Sequence, residues 1–225
     1  MSMKHALCRV ITFPTELGWM AALGRNKLLW QLTFGHATPQ AAWRALDEWE
    51  GGISEPNDWN PSWIADLTAF AAGQRIDLST IDVDLSQRTP FQVAILQACR
   101  AIPYGSTATY GELAMLAGYP RAARAVGNVM AGNCVPLVIP CHRVVPSGGR
   151  LGGYSAASGV HTKLRLLEAE GSTPSAARPQ NKFSGGKRLR SIDVRFVNGG
   201  LLKNQDFPRV EANCHADVVP RNFSA

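Results

Sequence analysis

The rhythm of hydrophobic and polar positions changes twice along this chain of 225 residues. Through Leu7–Phe13, and again through Lys27–Phe34, apolar and polar residues alternate, the period of a strand with one buried face. Thr38-Pro39, Asn60-Pro61 and Thr89-Pro90 each set a capping side chain before a proline. Proline suits the first helical position because its missing N–H would have no partner there anyway. Helices are therefore expected to begin near residues 39, 61 and 90. Residues 75–88 read as a strand and linker, which sets a boundary near residue 85. Beyond it the period is helical. Phe91–Ala101 is one such segment, Pro103-Tyr104-Gly105 a turn, and Tyr110–Ala117 a short amphipathic helix with Leu113, Ala114 and Ala117 inward. Gly118-Tyr119-Pro120 breaks the pattern and Arg121–Ala131 resumes it, so two short helices flank a glycine-containing turn. That is a helix-turn-helix pattern.

The next run, Val135–Ile139, is short, apolar and partly β-branched, and reads as a buried strand. It leads straight into Pro140-Cys141-His142-Arg143-Val144. From Ser172 the pattern dissolves into Pro, Ser, Asn, Gly and basic residues; Ser191–Val197 could still form a short strand. The expected fold class is α/β in the α+β sense. A small strand-and-helix domain over 1–85 precedes a mainly helical domain over 86–171, and 172–225 is a basic, flexible tail.

Composition narrows the class. An apolar content of 45% is ample for a packed core. No uncharged run approaches the ~20 residues of a membrane span. Met1-Ser2-Met3-Lys4-His5 opens no apolar leader, so a cytoplasmic chain is expected, or a nuclear one in a eukaryote, without membrane association. Five cysteines at unpaired spacings fit a reduced protein. All six tryptophans fall between Trp19 and Trp63, where packing of the first domain is their most economical role. Charge is uneven: residues 1–85 carry −4, residues 86–171 carry +5 and the tail +5. A basic second domain favours an anionic partner, with nucleic acid foremost, although a solvated basic surface has the same composition.

Two features carry chemistry. Cys141 stands beside an imidazole and a guanidinium. A free thiol has a pKa near ~8.5, so a neighbouring base or cation is what turns such a cysteine into a nucleophile. A buried structural cysteine is the alternative. The second feature is the helix after the turn, where Ala122, Ala123, Ala125 and Gly127 make a smooth surface from which Arg121 and Arg124 project. Small residues let a helix approach a nucleic-acid groove closely, and a protruding arginine could enter the base stack. Tight helix packing would use the same small residues.

From Thr89 to Gly171 the chain closely resembles the O⁶-alkylguanine-DNA alkyltransferases. The resemblance lies in TPFQVAILQACRAIPYGSTATYGELA, RAARAVGNVMAGN, VPLVIPCHRVV, GGYS and LLEAEG, in that order. It implies single-turnover transfer of an alkyl group from the O⁶ of guanine, with the O⁴ of thymine as a further acceptable source, to Cys141. The product is a thioether, and no cofactor or metal is needed. It implies that His142 helps deprotonate Cys141 through a bridging water, that Glu170 orients the imidazole, and that Asn133 is the hinge before the active-site strand. Tyr110 would sit at the base pocket, Met130 and Tyr154 would wall it, and backbone groups of Val144 and Ser155 would read the polar edge of a flipped base. Arg124 would fill the gap left in the duplex, on a helix whose Ala123, Ala125 and Gly127 allow close approach. The implied partner is double-stranded DNA containing alkylated bases, bound by a monomer.

The chain departs from the family pattern in three places. Cys134 replaces a common proline, Ala156-Ala157 replaces a usual Gly-Gly, and the basic tail has no clear counterpart. Rival readings are weaker. Alkyltransferase-like binding proteins replace the acceptor cysteine, which is retained here, and a cysteine hydrolase would turn over repeatedly. His5, Cys8 and His36 do not make a convincing four-ligand zinc site.

Overall fold

The computed structural model describes residues 8–25, 27–46, 53–54, 60–156 and 159–172. The expectations for the 172–225 tail, apart from Ser172 itself, lie outside the described residues, and so does His5. All described residues fall within one compact unit, residues 1–179.

Three antiparallel strands open the chain: β1 (Cys8–Phe13), β2 (Trp19–Arg25) and β3 (Leu28–His36). A short β4 (Ile53–Ser54) adds in parallel beside β1, giving the order β3-β2-β1-β4. Between β3 and β4 lies α1 (Pro39–Arg44). β1 and β3 fall where alternation places them. β2 was not expected, because five consecutive residues, Met20–Gly24, are buried and show no alternation. A strand covered on both faces loses the period that would reveal it.

All three proline-started helices form. The Thr38 Oγ1 accepts from the Ala41 N–H at 3.1 Å to start α1, and α2 (Pro61–Ala71) follows Asn60. α3 (Pro90–Arg100) begins with a capping box in which Thr89 and Gln92 exchange side-chain-to-backbone bonds, an arrangement worth about 1 kcal/mol. The stretch 75–88 is not a strand: Leu78–Thr80 is a 3₁₀ turn, and only Val83 pairs, as a single bridge to Leu29.

A second capping box, Thr109 with Glu112, starts α4 (Tyr110–Leu116) just after β5 (Ala108–Thr109). The next helix, α5, runs Ala123–Ala131, two residues shorter at its start than the pattern suggested. Arg121 instead takes a left-handed turn conformation, φ 73°. Two short segments complete the fold: β6 (Val144–Val145), parallel to β5, and α6 (Gly159–Ala169).

One hydrophobic core joins sheet and helices. It runs from Phe13, Leu32 and Phe34 through Leu67, Ile95 and Leu113 to Val126, Ile139 and Leu166. The Leu32 N–H bonds the Cys134 carbonyl at 2.8 Å, tying β3 to the segment that precedes Cys141. Trp30 and Trp43 cover a smaller cluster of Cys8, Val10 and Leu23, and Trp63 packs on the main core.

Candidate active site

Val135–Ile139 is a turn, not the expected strand. Pro136 and Pro140 remove two ladder donors, Leu137 is left-handed at φ 71°, and the Ile139 N–H closes back on the Val135 carbonyl at 2.9 Å. Cys141, His142 and Arg143 form one 3₁₀ turn, all three buried. Asn133 holds the arrangement: its Nδ2 donates to the Ile139 carbonyl at 2.9 Å and to the Cys141 Sγ at 3.2 Å, while its Oδ1 accepts from the Val135 N–H at 3.1 Å. One side chain thus fixes both the turn and the thiol.

Behind the thiol stands a buried ionic cluster. The His142 Nε2 lies 2.9 Å from the Glu170 Oε1. Arg143 forks onto the same carboxylate, with Nε at 2.9 Å from Oε2 and Nη2 at 2.9 Å from Oε1. Its Nη1 donates to the Ile102 carbonyl at 2.7 Å. Glu170 sits just past the end of α6, where its Oε2 also accepts from the Gly105 N–H at 3.2 Å. Gly105 is left-handed (φ 74°), and a Cβ there would stand 2.9 Å from the Glu170 carbonyl oxygen.

Protonation states follow from these contacts. Burial alone would raise the Glu170 carboxyl, but hydrogen bonds from His142 and Arg143 outweigh it and hold the pKa at about 2. An ionised carboxylate only accepts, so the His142 Nε2 must carry the proton. Burial also pushes the imidazole down, so it is neutral. Its Nδ1 is then a lone-pair acceptor, buried and without a partner. Burial raises the Cys141 thiol, opposed by the Asn133 donor and by Lys163. The resting sulfur is therefore protonated, with a base of free lone pair in the next residue.

Lys163 and Arg143 also stand at this site, although the motifs alone give them no role. Lys163 is 1% exposed and its Nζ donates to the Val144 carbonyl at 2.6 Å. Burial lowers it to about 8, against the opposing pull of Cys141 and Cys99. Its spacing to Leu166, Leu167 and Glu170 marks the buried face of α6, a signal the sequence does carry.

Other predicted residues divide into groups. Tyr154, Ser155, Asn133 and Cys141 line a common cavity of about 290 Å³, while Tyr110, Met130 and Val144 do not. Burial, then Cys141, raises the Tyr110 hydroxyl, and a Cβ on Gly152 would come 3.6 Å from the Tyr110 Oη. Met130 and Val144 belong to the core. The Tyr154 hydroxyl is buried near the thiol but outside hydrogen-bond geometry. On α5, Arg124 and Ala125 are exposed, whereas Ala123 and Gly127 flank that face half-buried.

Residues 90–172 match the family model described as the DNA-binding domain of 6-O-methylguanine DNA methyltransferase. A methylated-DNA–protein-cysteine methyltransferase of Methanosarcina acetivorans is 45% identical over 127 residues, which are 53% of this chain and 78% of that protein. A protein of the same name from Mycolicibacterium paratuberculosis is 41% identical over 160 residues, covering 71% of this chain and 90% of its own. Among solved structures, a Mycobacterium tuberculosis OGT in complex with DNA superposes with a TM-score of 0.58 at 29% identity, over 74% of this chain and 96% of that one. The chain belongs to the methylated-DNA–protein-cysteine methyltransferase family.

Proposed function

We propose that this protein repairs DNA by moving an alkyl group from the O⁶ of guanine to Cys141, once per molecule. The observation that carries the reading is the Asn133–Cys141 contact beside a neutral His142 whose Nε2 faces an ionised Glu170. The thiol proton passes, by way of a bridging water, to the His142 Nδ1. The sulfur then attacks the alkyl carbon in line. A C–S bond forms as the C–O bond breaks, and the electron pair returns to the guanine oxygen. The departing base takes a proton, assisted by the Tyr110 hydroxyl. A thioether does not hydrolyse readily, so the acceptor is consumed.

The damaged base must leave the duplex to reach a buried sulfur. Tyr154 and Met130 wall it, backbone groups of Val144 and Ser155 read its edge, and Arg124 on the smooth α5 face occupies the vacated stack. Residues 86–171 carry this chemistry and DNA contact, with 1–85 as the companion domain. The partner is duplex DNA with alkylated bases, engaged by a monomer in the cytoplasm. Among the described residues no helix is long and apolar enough to cross a membrane.

The test is intact-protein mass spectrometry after mixing with a duplex containing O⁶-methylguanine. One methyl increment, mapped to Cys141 and absent in Cys141→Ala, is the expected result. An unmodified protein, or equal labelling of the variant, would falsify the reading.

A further inference from the structure

Of the four described cysteines, Cys8, Cys99 and Cys141 are buried and Cys134 is partly open to solvent. Cys134 is also one of the positions where this chain departs from its family's pattern. Its sulfur accepts from the Arg88 Nη2 at 2.8 Å, while its S–H points to the Gly132 carbonyl at 3.5 Å. A guanidinium beside the sulfur, together with partial exposure, is the setting in which a cysteine reacts with oxidants.

The acceptor sulfur is held close by. Both neighbours of Cys134 bond to the segment that carries Cys141. The Asn133 Nδ2 donates to the Ile139 carbonyl at 2.9 Å and to the Cys141 Sγ at 3.2 Å, and the Val135 carbonyl accepts from the Ile139 N–H at 2.9 Å. The turn thus closes on itself and sets Cys134 beside the end that delivers Cys141. Paired chain segments lie about 5 Å apart, within the Cα span of about 4.4–6.8 Å that a disulfide bridges. Both cysteines line the cavity of about 290 Å³, with Thr33, Phe34 and His36 of β3 forming another wall. That space holds several waters, and hence hydrogen peroxide.

We propose that Cys134 is an oxidation site whose sulfur closes a reversible disulfide with Cys141. Hydrogen peroxide is the oxidant. The Cys134 sulfur attacks one peroxide oxygen; an S–O bond forms as the O–O bond breaks, and the other oxygen leaves as water with the thiol proton. The Cys141 thiol then gives its proton to His142, and its sulfur attacks the sulfenic sulfur. An S–S bond forms as the S–O bond breaks, and the departing hydroxide takes up that proton as a second water. The disulfide does not depend on the alkyl-transfer reading. Its consequence, an acceptor withheld until a dithiol reduces the bridge, rests on that reading.

The test is direct because Cys134 and Cys141 share one tryptic peptide, residues 125–143. The reduced full-length protein is treated with hydrogen peroxide, its remaining thiols are capped with iodoacetamide, and the peptide is weighed without reduction. Methyl transfer from an O⁶-methylguanine duplex is measured alongside, before and after dithiothreitol. The peptide should lose two hydrogens and take no cap, with transfer lost in step and regained on reduction. Cys134→Ser and Cys134→Ala, where melting curves show them folded, should show no recoverable loss. A wild-type peptide that stays unbridged overturns the proposal, as does a recoverable loss in a folded variant or a bridged protein that still transfers methyl. If the reduced protein transfers nothing, the alkyl-transfer reading falls instead, and the peptide mass still decides the disulfide.

Discussion

Glu170 accepts from the His142 ring, from two nitrogens of Arg143 and from the Gly105 backbone, so one carboxylate satisfies two buried bases. Glu170→Gln keeps the shape but removes the charge. Arg143 then becomes a buried cation without a counterion, and unfolding at pH 7 should cost about 3–5 kcal/mol less, measured in urea. Because the folded pKa is depressed to about 2, the carboxylate's stabilisation is whole above the unfolded value of 4.5 and is lost as pH falls towards 2. The variant should lose that acid limb. Lys163 offers a second test through rate. At about 8 its charge is largely present at pH 7, where it favours the Cys141 thiolate, and it disappears above pH 8. Lys163→Met should slow transfer about threefold to tenfold at pH 7, with the gap narrowing above pH 8 in a pH–rate profile. A constant gap across that range would mean that Lys163 acts only through packing. Lys163 escaped sequence reading because a lysine on a helix is ordinarily solvated; only its spacing with Leu166 and Leu167 marks it as inward.

At the level of elements, legibility followed whichever local signal was strongest. Thr38, Thr89 and the prolines after them marked helix starts because capping is chemistry between near neighbours. Tyr110–Leu116 and Ala123–Ala131 were visible through their apolar spacing. Val135–Ile139 reads as a strand because apolar content records burial and not backbone shape; Pro136 within it and Pro140 just after it are the contrary signal. The motif brought Cys141, His142 and Asn133 to notice, but the cavity wall from β3 depends on a contact about a hundred residues distant and left no mark in either segment. Helix α5 supports a prediction of its own. Arg124 is exposed beside Ala125, and under the proposed function it enters the gap left by an extruded base. A single strand has no stack to refill. Arg124→Ala should therefore slow repair of duplex by about tenfold or more, and of single-stranded substrate much less, in paired single-turnover assays. Equal losses on both substrates would reduce Arg124 to a phosphate contact.

Over the whole described molecule, sheet and helices share one core, and the composition shift near residue 85 does not divide it. Phe13, Leu32 and Phe34 of the sheet belong to the same cluster as Leu113, Val126 and Leu166. Across that boundary the Leu32 N–H also bonds the Cys134 carbonyl at 2.8 Å, and the Arg100 Nη2 donates to the Ser79 carbonyl at 2.7 Å and the Ile81 carbonyl at 2.8 Å. Separating the two halves would expose buried apolar surface on both and strand these polar partners. They should therefore unfold together. The sequence supplies two probes for this, since every tryptophan lies between residues 19 and 63 while the helices that follow dominate the far-ultraviolet circular dichroism. Tryptophan fluorescence and circular dichroism should give the same denaturant midpoint. An earlier fluorescence transition would show the strand-rich part opening alone, and the Cys141 cavity would then lose its β3 wall before the helical part unfolds.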